Sequence, residues 1–138
     1  FKTINTDLIA GLPEENEQDF KYTMDEIIKH LALFVSHLWQ IHIFSEGNTR
    51  ATAVFFIKYI RTLGFDVTND IFADNAWYFR NALVRANYTN LKKDIHETTE
   101  YLELFLRNLL LGENNALRIY AVLCPILVTL FQQVRFYR

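Results

Sequence analysis

The sequence has few of the residues that interrupt or cross-link a chain: its 138 residues include four glycines, two prolines and one cysteine. Because glycine and proline break helices, their scarcity favours long helical segments. The single cysteine, Cys124, excludes a disulfide within the chain and suits a reducing compartment. We therefore expect a cytoplasmic protein, or one delivered into another cell as an effector.

Excess positive charge and long apolar runs are also missing. The net charge is −2, whereas nucleic-acid-binding domains usually carry a basic patch or stripe. The longest apolar run, residues 121–131, is well short of the roughly 20 residues that a membrane-spanning helix needs. We expect neither nucleic acid nor a membrane as a partner, and we interpret this run as a buried terminal helix. No secretory signal is visible at the start, and the chain opens on Phe1, as a fragment would.

The sequence is rich in apolar residues: 51% of the residues are hydrophobic and 15% are aromatic. A chain of this length with this composition can form one domain with a core of its own. We expect a single domain over residues 1–138, with an extended arm and loop at 1–21, core helices at 22–113 and a helical tail at 114–138. The predicted fold class is an all-α bundle with a small β-arm at its start, because residues 1–5 alternate apolar and polar side chains as a short strand or extended arm does.

Hydrophobic periodicity predicts four core helices. The residues Thr23 to Glu26 are typical of a capping box, which would start the first helix there and let it run to about His42. The second helix is predicted from Asn48 to about Leu63. It has little polar face, so we expect it at the centre of the bundle.

The third helix is predicted to start at Asn69 or Asp70. The fourth is predicted over residues 92–111, and Gly112 should end it. We expect Trp39 and Trp77 in the core.

The junction between the first two helices concentrates chemically active side chains. Gly47 permits a turn that other residues resist, and the helix start that follows favours anions through its free N–H groups and its dipole. Arg50 adds a guanidinium that can grip phosphate oxygens. A carboxylate beside such a site, here Glu46, is a typical ligand for Mg²⁺. His42 can accept a proton from an attacking hydroxyl, and Phe44 is expected to anchor the loop by burying its ring.

This stretch resembles the motif of the Fic-domain family, His-Pro-Phe-x-Asp/Glu-Gly-Asn-x-Arg. Six of its seven fixed positions match, at His42, Phe44, Glu46, Gly47, Asn48 and Arg50. The resemblance runs over about residues 22–113. It implies a protein adenylyltransferase that moves AMP from ATP onto a Ser, Thr or Tyr hydroxyl of a target protein.

The resemblance also implies a role for each matching residue. His42 would be the catalytic base, and Glu46 would hold Mg²⁺ between the α- and β-phosphates. Arg50 would bind the outer phosphates. The remaining phosphate contacts would come from Gly47, Asn48 and Thr49. Residues 1–5 resemble the start of the family's flap, a hairpin that positions the target's backbone.

Departures from the family pattern leave alternatives open. Ile43 replaces the usual Pro, Ala53 stands where many members have a second Arg, and the flap region is short. The helix motif that inhibits many members has no match, so control by a homo-oligomer or an inhibitory partner stays open. The donor could instead supply UMP, phosphocholine or a γ-phosphate. A non-catalytic helical module, as in toxin–antitoxin pairs or adaptors, is the other alternative.

Several other polar residues have simpler interpretations. His30 and His37 share a helix but lack further metal ligands, so we assign them surface or packing roles. The polar residues of the third helix, Arg80, Asn81, Arg85 and Asn87, are interpreted as its polar face.

Overall fold

The computed structural model describes residue 14 and residues 16–119 of the chain. This part is helical and contains no strand; its one β-bridge joins Asn90 and Ile95. The all-α fold class is therefore confirmed. The helices are α1 (Glu17–Gln40), α2 (Asn48–Thr62), α3 (Asp70–Asp74), α4 (Ala76–Ala86) and α5 (Glu100–Leu111), with a short 3-10 helix at Leu91–Lys93.

Helix α1 starts earlier than predicted because Asn16 caps it. The Asn16 side chain accepts hydrogen bonds from the N–H groups of Gln18 and Asp19, at 2.8 and 3.1 Å. The Asp19 carboxylate in turn accepts from the Asn16 N–H at 3.2 Å. The capping box predicted at Thr23 is wrong, since the Thr23 hydroxyl donates to the Asp19 carbonyl one turn back, as hydroxyls inside helices do.

Helix α1 packs against α2, α4 and α5, and α4 packs against α1, α3 and α5, whereas α2 packs mainly against α1. Helix α2 buries one side only, through Thr52, Ala53, Phe56, Ile57 and Ile60. On its other side Phe55 is 49% exposed. The prediction that α2 lies at the centre is therefore wrong, because an apolar composition does not distinguish a core face from an apolar surface.

The core between α4 and α5 is aromatic. The Phe105 ring lies 4.9 Å from that of Phe72 and 5.1 Å from that of Phe79, in the spacing that aromatic pairs prefer. Tyr78 is also buried, and its hydroxyl donates to the Tyr101 carbonyl at 3.0 Å. Burial raises the pKa of Tyr78 to about 12, so this hydroxyl keeps its proton at neutral pH.

The predicted third helix is two helices. The chain leaves the helical conformation at Asn75, where φ is −122°. The Asn75 side chain donates to the carbonyl of Ile71 at 3.1 Å, which satisfies the end of α3. Trp77 follows this break and is 60% exposed, so its predicted place in the core is wrong.

The last helix is shorter than predicted, since α5 begins at Glu100 rather than at residue 92. Its predicted end is confirmed: Gly112 has φ +66°, in the left-handed region where glycine is favoured. Within the described ranges no helix combines the length and the apolar character needed to cross a bilayer. The predicted β-arm at residues 1–5, Cys124 and the apolar run at 121–131 lie outside the described residues.

Candidate functional site

His42 lies just beyond the end of α1, in a backbone conformation that few residues adopt. Its φ is +46°, which is left-handed and uncommon for a residue with a side chain. Its N–H donates to the carbonyl of Trp39 at 3.4 Å. The imidazole also lies edge-on to the Trp39 ring, with centroids 4.8 Å apart. Trp39 therefore positions the histidine through both backbone and ring.

The loop that follows is held by the side chain of Asn48. The Asn48 oxygen accepts from the Phe44 N–H at 3.0 Å, and the Asn48 amide nitrogen donates to the Phe44 carbonyl at 2.5 Å. The Phe44 ring is 53% exposed, so the prediction that it anchors the loop by burial is wrong. Hydrogen bonds between its backbone and the Asn48 side chain, and not the ring, hold residue 44 in place.

We expect Asn48→Ala to destabilise the protein by about 1–2 kcal/mol, because two hydrogen bonds of roughly 0.5–1.5 kcal/mol each are lost. Urea unfolding measures this change, and amide hydrogen exchange of Phe44 should become faster than in the parent chain. Asn48→Asp is the matched variant, since it keeps the acceptor and loses the donor. An unchanged exchange rate at Phe44 in both variants would contradict this account of the loop.

The start of α2 is open to an anion. Gly47 is its N-cap, with φ +81°, and no side chain caps the helix. Within the described residues, the N–H groups of Asn48, Thr49 and Arg50 have no hydrogen-bond acceptor. A Cβ placed on Gly47 would lie 3.5 Å from Nη2 of Arg50, so the guanidinium lies directly over the turn. These features fit a phosphate group.

Glu46 lies in the same loop and is exposed. Neither Glu46 nor Arg50 forms an ion pair with another described residue. Among the described residues no three acidic, histidine or cysteine side chains group together as a metal site. Glu46 therefore fits Mg²⁺ only as one ligand, with the other positions filled by water and substrate phosphate oxygens, which is a common arrangement for this ion.

Thr49 has a packing role in addition to its place in the motif. Its hydroxyl accepts a hydrogen bond from Nε1 of Trp39 at 3.2 Å. Trp39 thus contacts both His42 at the end of α1 and Thr49 at the start of α2. We did not identify Trp39 as a site residue from the sequence. The available signal was its position in the predicted helix, which was expected to run to about His42: Trp39 stands about one helical turn before the histidine.

A cavity of about 320 Å³ opens beside the histidine. It brings His42 and Asn48 together with apolar side chains of both helices. Glu46, Gly47, Thr49 and Arg50 lie outside its lining, around the start of α2. The complete lining is Leu38, Trp39, His42, Ile43, Phe44, Asn48, Ala51, Thr52 and Phe55.

The polar residues of α4 have structural roles. Asn81 is buried and donates to the carbonyl of Trp77 at 2.8 Å. Asn87 accepts from the buried Ser36 hydroxyl at 3.1 Å and donates to the Leu83 carbonyl. Arg85 donates to the His96 carbonyl at 2.7 Å. These contacts connect α4 to α1 and to the loop before α5, and they leave the motif loop as the candidate site.

His30 and His37 are exposed on α1, so of the surface and packing roles predicted from the sequence they have the surface role.

The model of the Fic/DOC family matches residues 4–60 of the chain. This match supports the assignment of the chain to the Fic-domain family, as the motif predicted. It includes α1, the whole motif loop and most of α2, whereas we expected the resemblance to continue to about residue 113. The comparisons with curated proteins and with solved structures gave no match.

Proposed function

We propose that this chain is a protein adenylyltransferase, which moves AMP from ATP to a Ser, Thr or Tyr hydroxyl of a target protein. The proposal is supported by the start of α2, where Gly47, the Arg50 guanidinium and three N–H groups that have no acceptor among the described residues could together bind an anion. His42 lines the cavity next to this site. An anion site and a base side by side are what phosphoryl-group chemistry on a hydroxyl requires.

In the proposed reaction the target's hydroxyl oxygen attacks the α-phosphorus of ATP. The bond from this phosphorus to the bridging oxygen of the β-phosphate breaks, and pyrophosphate leaves with that bond's electrons. The hydroxyl proton goes to a ring nitrogen of His42. Arg50 and the N–H groups of Asn48 and Thr49 offset the charge that develops on the phosphates. Mg²⁺, held by Glu46 and phosphate oxygens, would supply further charge neutralisation.

The site contacts support roles beyond the motif itself. Asn48 is engaged through its side chain with Phe44, so in the proposal it contributes its backbone N–H to the phosphates and its amide to the shape of the loop. Trp39 fixes the distance between base and anion site, because it contacts both His42 and Thr49. Such positioning supplies a large share of enzymatic rate enhancement.

The test compares ATP labelled at the α-phosphate with ATP labelled at the γ-phosphate, with Mg²⁺ present. We expect label from the α-position on a protein and none from the γ-position. Transfer of the γ-label instead would favour the alternative of phosphate transfer.

Calorimetric titration with MgATP tests the anion site itself. Arg50→Ala should weaken binding by about tenfold or more, because a hydrogen bond to a charged group contributes roughly 1.5–3 kcal/mol. Lys92→Ala, which removes an exposed cation elsewhere, is the matched control and should bind normally. A chain that binds no nucleotide would exclude the proposed function.

A further inference from the structure

A row of exposed aromatic rings leads away from the cavity beside His42 along the junction of α1 and α2. Phe55 lines the cavity and lies nearly parallel to Tyr59, with ring centroids 6.3 Å apart. Tyr59 in turn contacts Phe34 of α1 at 4.8 Å. All three rings are at least 36% exposed. We call this surface, from the cavity through Phe55 and Tyr59 to Phe34, the α1–α2 groove.

The groove has a lysine at its edge although the chain as a whole is acidic. Arg50 lies at the start of α2, and the Arg61 guanidinium donates to the Val67 carbonyl, so Lys58 is the cation beside the rings. Lys58 follows Phe55 by three positions, so both lie on one side of α2. Lys58 is exposed and forms no ion pair within the described part of the chain. An occupant that complements this surface combines apolar and acidic side chains.

We infer that the α1–α2 groove docks the segment of the target protein whose hydroxyl reaches His42, and that this segment carries an apolar and an acidic residue near the hydroxyl. The inference rests on the proposed function for the identity of the bound segment. His42 lies at one end of the groove, so a chain bound along it presents a side chain to the imidazole. Contact with the groove then selects the target, while the motif loop performs the transfer.

The helix sets the spacing that the target needs. From Ala51, which lines the cavity, to Tyr59 the axis of α2 rises about 12 Å, at roughly 1.5 Å per residue. An extended peptide covers this distance in about four residues, at roughly 3.3 Å each. The apolar residue of the target should therefore stand about four positions from the modified hydroxyl, and the acid that meets Lys58 should stand next to it.

The binding test uses fluorescein-labelled synthetic peptides and the full 138-residue chain, with anisotropy measured in the absence of nucleotide. One peptide carries a serine, a leucine four positions away and flanking glutamates; its matched peptides replace the leucine with glycine or the glutamates with lysines. The first peptide should bind most tightly. Phe55→Ala should weaken its binding by about tenfold, the typical effect of removing one aromatic anchor. Trp77→Ala, an exposed aromatic on α4, should leave binding unchanged.

Reversing the charge of Lys58 should raise the affinity for one peptide and lower the affinity for another. Lys58→Glu should weaken binding of the peptide with glutamates and strengthen binding of the peptide with lysines. Lys92→Glu should change the binding of neither peptide. Equal binding of both peptides to every variant would overturn the inference. So would failure of the parent chain to bind any peptide, since the groove would then be filled by the chain itself. Sedimentation that reveals a dimer broken by Phe55→Ala would identify a second copy as the occupant and overturn it too.

Peptide binding needs neither ATP nor His42, so the two proposals fail separately. If peptides bind through the groove but no label is transferred, the proposed function is wrong. The ligand of the groove would still be a protein segment with acidic and apolar residues. If label is transferred at the same rate in the Phe55→Ala and Lys58→Glu variants, the docking inference is wrong and the proposed function stands.

Discussion

Replacing His42 should lower the rate of AMP transfer by about 10²–10⁴-fold, the usual contribution of a general base. The choice of replacement matters because His42 has φ +46°. Histidine and asparagine occur at left-handed positions more often than alanine does, so alanine would mix a structural effect with the chemical one. Asparagine tolerates this backbone and has no basic nitrogen. His42→Asn is therefore the sharper variant, and His42→Ala the comparison.

The measurement is the rate at which label passes from α-labelled ATP to protein at saturating nucleotide. Calorimetry on the same preparation should give MgATP affinity close to that of the parent chain, because His42 lies outside the anion site at the start of α2. His37→Asn, which changes another exposed histidine of α1, should transfer at the parent rate. A His42→Asn chain that transfers at the parent rate would show that another group accepts the proton.

The local geometry at the start of α2 was predictable because it depends on neighbouring residues in the chain. Gly47 at the start of a helix, with Arg50 in the first turn, specifies free N–H groups and a cation within one turn of chain. The structure has the same features at the same residues. Local patterns of this kind need no knowledge of how the helices pack.

The missed features depend on contacts between distant or competing residues. The Phe44 ring was predicted to be buried as the anchor of the loop, but the side chain of Asn48 holds the loop backbone without it. Helix α2 was placed at the centre because its composition is apolar, whereas it packs mainly against α1 and leaves one side exposed. The exposed apolar side chains of α2 form part of the α1–α2 groove. A mismatch between composition and burial thus points to an interaction surface.

Helix boundaries were missed where two signals compete. Asn16 and Thr23 both stand ahead of acidic residues, and either could cap α1 by pattern alone. The Asn16 cap adds nearly two turns of helix, which favours the longer form. The break at Asn75 has no glycine or proline to mark it, so periodicity alone joined α3 to α4.

The largest loss of stability should come from Phe105→Ala. Phe105 is fully buried, and its ring contacts those of Phe72, Phe79 and Tyr78. It therefore connects α5 to both α3 and α4. Removing a buried phenylalanine typically costs 3–5 kcal/mol, since the neighbours collapse only in part into the cavity. Whole domains are stable by roughly 5–15 kcal/mol, so this one change removes a large share.

Urea unfolding followed by circular dichroism measures the loss. Phe55→Ala is the matched control, because it makes the same substitution on a ring that is 49% exposed. It should cost about 1 kcal/mol or less, the value of one exposed aromatic contact. The difference between the two losses of stability tests whether Phe105 lies in the core and Phe55 on the surface. Equal losses at the two positions would mean that α2 is buried on both sides, which would remove the α1–α2 groove along with the argument for docking.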